Sequence, residues 1–104
     1  MIAVTSELRA KSGREQELEG IAFELAERVR SDEPGCRGYE VARARHDSRV
    51  FLTLERYDDD EALNAHCRAD HFKEAFPRLM ECVEQPPRVT VFDLLDAASG
   101  APSG

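Results

Sequence analysis

Tryptophan is absent from this 104-residue chain, and cysteine is scarce: Cys36, Cys67 and Cys82, with no Cys-x-x-Cys pair. An odd number of scattered thiols excludes a disulfide framework and gives an iron–sulfur cluster or zinc ribbon no spacing to use. All three therefore read as buried free thiols. No apolar run approaches the roughly 20 residues that cross a bilayer. The opening MIAVTSELRAKSG lacks a basic region followed by a long apolar core, so it reads as a first strand and not as a signal peptide. The expectation is a cytoplasmic protein with no membrane partner. Neither a Gly-x-Gly-x-x-Gly loop nor a Walker motif is present, so no nucleotide cofactor is called for. Positive charge is also in deficit. Fourteen basic against 21 acidic side chains leave a net charge of −7, and the arginines are dispersed, which argues against nucleic acid as a partner.

What is present is strong patterning. Ile2, Val4, Ser6 and Leu8 alternate with Ala3, Thr5, Glu7 and Arg9, the period of a strand with one mainly apolar face. Ser12 followed by Glu15 fits a capping box. Leu18, Ile21, Ala22, Leu25 and Val29 then recur at helical spacing up to the breaker Asp32-Glu33-Pro34-Gly35, with Phe23 off that stripe. Arg37 to Arg45 and Arg49 to Tyr57 are rich in β-formers and flank a short turn at His46-Asp47-Ser48, which predicts an antiparallel hairpin with His46 solvated. On the second arm Phe51, Thr53, Glu55 and Tyr57 share one face, while Val50, Leu52, Leu54 and Arg56 share the other. A sheet with apolar groups on both faces needs two covers.

Asp58 through Glu61 place four carboxylates where a helix N-terminus favours them, and that helix should run to about Cys67. Asp70 is positioned to cap a further helix whose stripe is Phe72, Ala75, Phe76, Leu79, Met80 and Val83, and Pro77 should bend or restart it. After Gln85-Pro86-Pro87, Val89, Val91 and the run Phe92 to Leu95 supply a last strand. The resulting expectation is one domain over residues 1–95 and a mobile small-residue tail over 96–104. The order is βαββαβ, an α+β ferredoxin-like arrangement with both helices on one sheet face. A chain this short buries only about two thirds of its unfolded surface, so a second copy covering the open face, closing a dimeric α/β barrel, is the expected assembly.

Several short pieces in this order carry a resemblance: Glu33-Pro34-Gly35-Cys36 before the second strand, Tyr39, Glu55-Arg56-Tyr57 at the end of the third, Ala62, His66, and the His71-Phe72 pair. Over about Ile2 to Leu94 the chain resembles the antibiotic biosynthesis monooxygenase domain family, small dimeric α/β-barrel proteins that include quinol monooxygenases. The resemblance implies oxygenation without metal or flavin. The substrate, a hydroquinone or polycyclic phenol, would itself supply electrons to dioxygen once a base has removed a hydroxyl proton. A related haem-degrading branch uses an axial histidine, a tryptophan and an asparagine. Here those positions align with Phe76, His66, and Ser6 or Glu7, which disfavours haem oxygenation.

His66, one turn beyond Ala62 and Leu63, is the first candidate for the base, because an imidazole titrates near neutrality; a plain helix-edge hydrogen bond is the competing reading. His71 matches the resemblance too, but its place at a helix start fits capping or solvent exposure. Tyr57, Phe51, Phe72, Phe76 and Ser6 are the expected substrate contacts, with core packing as the alternative for each aromatic ring. His66, Cys67 and His71 lack the i, i+4 spacing that places two ligands on one helix face, so no metal is expected. Glu55 should form a structural ion pair with Arg43 or another cross-strand group. Other readings are a non-oxidative binding or isomerase protein of the same fold, a haem-handling protein and a purely structural dimer.

Overall fold

Ile2, Val4 and Leu8 do turn to one side of strand β1 (Ile2–Arg9) and are buried, in a computed structural model that describes residues 1–96. Helix α1 (Glu15–Asp32), strands β2 (Cys36–Arg43) and β3 (Val50–Tyr57), helices α2 (Asp60–Arg68) and α3 (Asp70–Cys82), and strand β4 (Arg88–Asp93) follow. The four strands form one antiparallel sheet in the order β2-β3-β1-β4, the ferredoxin-like βαββαβ fold with its second helix divided in two. The proposed tail from Ala97 to Gly104 lies outside the described residues. Among the described residues no helix is long and apolar enough to cross a membrane.

The stripe Leu18, Ile21, Ala22, Leu25, Ala26 and Val29 buries α1 on the sheet beside β2 and against α3. Its start departs from expectation. Gly13 takes a left-handed φ of +87°, the chain turns through an Arg14 N–H bond to the Lys11 carbonyl, and the residue before the helix is Arg14, which makes no side-chain cap. Ser12 is thereby displaced from the capping position. Arg14 instead pairs with Glu17 at 2.8 Å. Asp59 caps α2 as the carboxylate run predicts, accepting from the Ala62 amide, whereas Asp70 caps nothing, because Ala69 precedes it as the helix boundary. Helix α3 continues through Pro77 without restarting. Ala75, Leu79 and Cys82 are buried on both sides of the proline and hold the two turns in line, while Pro77 itself is exposed. Of the thiols only Cys82 is fully buried; Cys36 is half-buried and Cys67 exposed, correcting the expectation of three buried ones.

The helices cover one face of the sheet incompletely. Val89 and Val91, opposite Ser6 and Val4 in the register, remain 59% and 53% exposed, so β4 is an unroofed margin. On the other face Leu54 and Phe92 are also exposed.

The turn that carries Glu33 is pinned against α2. A Cβ added to Gly35 would lie 2.7 Å from the Ala62 Cβ, and the Gly35 carbonyl accepts from the Asp58 amide. Gly35→Ala is therefore expected to cost about 1–3 kcal/mol, the usual penalty for overpacking. A lower urea midpoint at unchanged m would show it; an unaltered midpoint would mean that this loop is free to give.

Candidate active site

A cavity of about 170 Å³ lies between the sheet and the paired helices α2 and α3. Its walls are mainly apolar, with Val4, Leu8, Leu25, Leu63, Leu79 and Met80 prominent, and the unroofed Val89 borders it. An engineered apolar cavity of about 150 Å³ holds a benzene molecule, so a space of this size suits one aromatic ring. Its polar side chains include His66 from the helical roof and Glu55, Thr53, Tyr39 and Ser6 from the sheet floor.

His66 is 3% exposed and sits in the last turn of α2, its ring centroid 4.8 Å from that of Phe72, 5.5 Å from Tyr57 and 5.8 Å from Tyr39. Its Nδ1 lies 2.9 and 3.1 Å from the two carboxylate oxygens of Glu33. An ionised carboxylate only accepts, so Nδ1 carries the proton and donates, which leaves the Nε2 lone pair as the nitrogen available to a molecule in the cavity. Glu33 stands at the C-terminal end of α1, where the helix dipole disfavours a carboxylate. Two imidazoles offset that cost, because His71 Nε2 also reaches Glu33 Oε2, at 2.5 Å.

The convergence of Glu33 with the two histidines depends on Ala69. Its extended backbone (ψ 143°) ends α2 and restarts the chain as α3, swinging His71 back toward the Glu33 that His66 already holds. Although the spacing of His66 and His71 predicts no shared site, the ligand atoms of Glu33, His66 and His71 all lie within 4.8 Å of one another. Two imidazoles and a carboxylate form a donor set that suits a divalent transition ion. In the arrangement present, the carboxylate accepts from one nitrogen of each ring.

On the floor Glu55 is buried and accepts from Thr53 Oγ1 and from Tyr57 Oη, each at 2.6 Å. The expected ion pair with Arg43 does not form. Arg43 reaches Glu19 of α1 instead, and no cation pairs with Glu55 among the described residues. The phenols of Tyr39 and Tyr57 are pushed well above the ordinary tyrosine range, chiefly by burial and next by the Glu55 charge, so both stay protonated donors. Burial likewise raises Cys36, Cys67 and Cys82, which keeps the thiols neutral and argues against thiolate chemistry.

Of the residues expected from the sequence, His66, Phe72, Phe76 and Ser6 line the cavity. His71 does not. It is partly buried behind Glu33 and borders an outer groove with Gly35, Cys36 and Ala62, so it neither caps a helix nor faces open solvent. Phe51 lies in the main core beneath α1, and Tyr57, fully buried, stands behind Glu55; neither is in the cavity lining. Glu33 and Thr53 are the site groups for which no role was expected. Glu33 was visible as the one carboxylate inside the Glu-Pro-Gly-Cys piece. Thr53 and Tyr57 were visible as hydroxyls flanking Glu55 at two-residue spacing on one strand face.

No curated protein matches the chain. Solved structures do. A conserved protein of Methanosarcina mazei Go1 is 31% identical with a TM-score of 0.83, over 88% of this chain and 89% of that one. A candidate antibiotic biosynthesis monooxygenase of Caulobacter crescentus CB15 is 29% identical with a TM-score of 0.86, over 90% and 89%. A Mycobacterium tuberculosis protein is 26% identical with a TM-score of 0.88, over 94% and 98%. The family model for antibiotic biosynthesis monooxygenase matches residues 1–78, which span β1 through most of α3 and include Glu33, Glu55, His66 and His71. The chain belongs to the antibiotic biosynthesis monooxygenase family.

Proposed function

We propose that the protein is a cofactor-independent monooxygenase that oxidises an electron-rich aromatic, a hydroquinone or related phenol, with dioxygen, and that it works as a homodimer. The observation that carries this reading is His66: a buried imidazole whose Nδ1 is held by Glu33 and whose ring walls an apolar cavity of one-ring size. His66 Nε2 takes the proton of a substrate hydroxyl. The resulting phenolate, desolvated among apolar side chains, transfers one electron to dioxygen, which avoids the spin barrier to a concerted reaction. The semiquinone and superoxide combine at a ring carbon, His66 returns its proton to make the hydroperoxide, and the O–O bond then breaks as that carbon gives up its hydrogen, forming the carbonyl and releasing water. One oxygen atom remains on the ring, the other leaves as water, and the substrate supplies all the electrons. Hydroquinone would give hydroxyquinone plus water. A second copy laid on the open sheet face would cover Leu54 and Phe92.

Haem handling draws no support from a cavity of about 170 Å³, nor from Phe76, whose side chain has no lone pair for iron. The test is oxygen uptake on a quinol panel by chelator-dialysed protein whose sedimentation mass is recorded in the same buffer. Uptake above autoxidation, one labelled oxygen atom in the product, and a mass twice the 11.7 kDa of one chain are expected. Substrate turnover under strict anaerobiosis would instead favour a non-oxidative isomerase, for which the same base would serve.

A further inference from the structure

Glu55 has a chemistry that the proton transfer through His66 leaves unused. It projects from β3 into the cavity floor, 6% exposed, with one hydroxyl donor on each carboxylate oxygen and no cation beside it among the described residues. Burying a carboxylate is costly unless it is paired and hydrogen-bonded. Here the donors are two neutral hydroxyls on the same strand, and each oxygen keeps a further lone pair. Thr53 and Tyr57 flank the group along the strand, one on each oxygen, and the group also borders the cavity. Strand position accounts for the arrangement. Residues 53, 55 and 57 share the helix-facing side of β3, opposite Ser6, Val4 and Ile2 of β1. The carboxylate thus faces the roof from which His66 descends.

We infer that Glu55 is a second substrate contact, accepting a hydrogen bond from a hydroxyl on the far side of the ring from the hydroxyl that meets His66, so that the site selects para-dihydroxylated aromatics. An aromatic ring of the size that fits the cavity, with one hydroxyl toward the roof, directs its para substituent at the floor. A neutral hydroxyl adds a third donor to a carboxylate already served by two, without bringing another charge into an apolar chamber. Phenols with a single hydroxyl would leave the carboxylate facing carbon. This inference rests on the aromatic-cavity reading above and narrows its substrate class.

The test is anaerobic calorimetry, in which no oxidation occurs, comparing hydroquinone with 4-methoxyphenol, catechol and benzylamine on wild type and Glu55→Gln. Wild type is expected to bind hydroquinone at least about tenfold more tightly than the methyl ether, the low end of what a hydrogen bond to a charged acceptor contributes, and more tightly than catechol. Glu55→Gln should narrow the hydroquinone-to-ether ratio to within about twofold. A preserved ratio in the variant would overturn the inference, as would benzylamine binding more tightly than hydroquinone. Should the variant fail to fold, wild type alone decides, because a ratio below about twofold there is equally fatal. Selective binding without aerobic oxygen uptake would remove the oxygenase proposal and leave this one standing, and equal binding of diol and ether with oxygen uptake would do the reverse.

Discussion

His66→Gln should lower kcat for quinol oxidation by about 10²–10⁴-fold, the range that a positioned general base contributes. Glutamine keeps an N–H donor within reach of Glu33 and much of the side-chain volume against Phe72, but its amide does not accept a proton. The lost interaction forms as the hydroxyl proton departs, so kcat and kcat/KM should fall together, with anaerobic quinol affinity changed by no more than a few fold. Folding should survive, since the hydrogen bond is retained and the packing loss is partial. Initial oxygen-uptake rates at saturating quinol are the measurement, and a variant within threefold of wild type would remove His66 from the chemistry. His71 serves as the internal contrast. It touches Glu33 but not the cavity, so its removal disturbs the base only through the carboxylate.

The contrast between the two histidines also marks how far the sequence alone reaches. Local patterning placed the strands and helices, because the stripe Leu18, Ile21, Leu25 and Val29, the alternation of Ile2, Val4 and Leu8 and the carboxylate run Asp58 to Glu61 are facts about single elements. His66 was legible for the same reason, being one turn from Ala62 and Leu63 on a short amphipathic helix. Its partner was not, since Glu33 lies 33 residues away and meets it only after the sheet has folded. The helix break expected between Cys67 and Asp70 was read as separating His66 from His71. The extended backbone of Ala69 instead folds His71 back onto the carboxylate that His66 holds, a direction that no local pattern specifies. Glu55 failed differently. Its face was read correctly, but charge pairing across strands was weighted above hydroxyls along the same strand, and Arg43, on that same face, lies close enough to α1 to take Glu19 instead. Phe51 and Tyr57 show the limit of reading aromatic residues as ring contacts. Both face the helices, yet they lie under parts of the roof with no open space.

Glu33→Ala is expected to be the most damaging single change, because it acts on stability and chemistry together. The side chains of His66 and His71 are only 4% and 10% exposed, and the carboxylate is their common acceptor. Removing one member of a buried, hydrogen-bonded charged cluster typically costs about 3–5 kcal/mol, since the groups left behind lose their partner without regaining water. Some of that loss is returned, because a carboxylate no longer opposes the dipole at the end of α1, a term of about 0.3–1 kcal/mol. A net loss of about 2–4 kcal/mol should therefore appear as a lower urea midpoint. Chemistry suffers for a separate reason: without Glu33 the His66 ring loses both its fixed tautomer and the negative charge that stabilises the imidazolium after proton transfer. In a serine protease, replacing the corresponding carboxylate by its amide costs about 10⁴-fold in kcat while the geometry is preserved. Glu33→Gln separates the two effects here. The amide restores the volume and one acceptor, so most of the stability should return, while quinol oxidation should remain at least about 10²-fold below wild type. If Glu33→Gln regained full activity along with its stability, the carboxylate would be a packing element, and His66 would have to act without it.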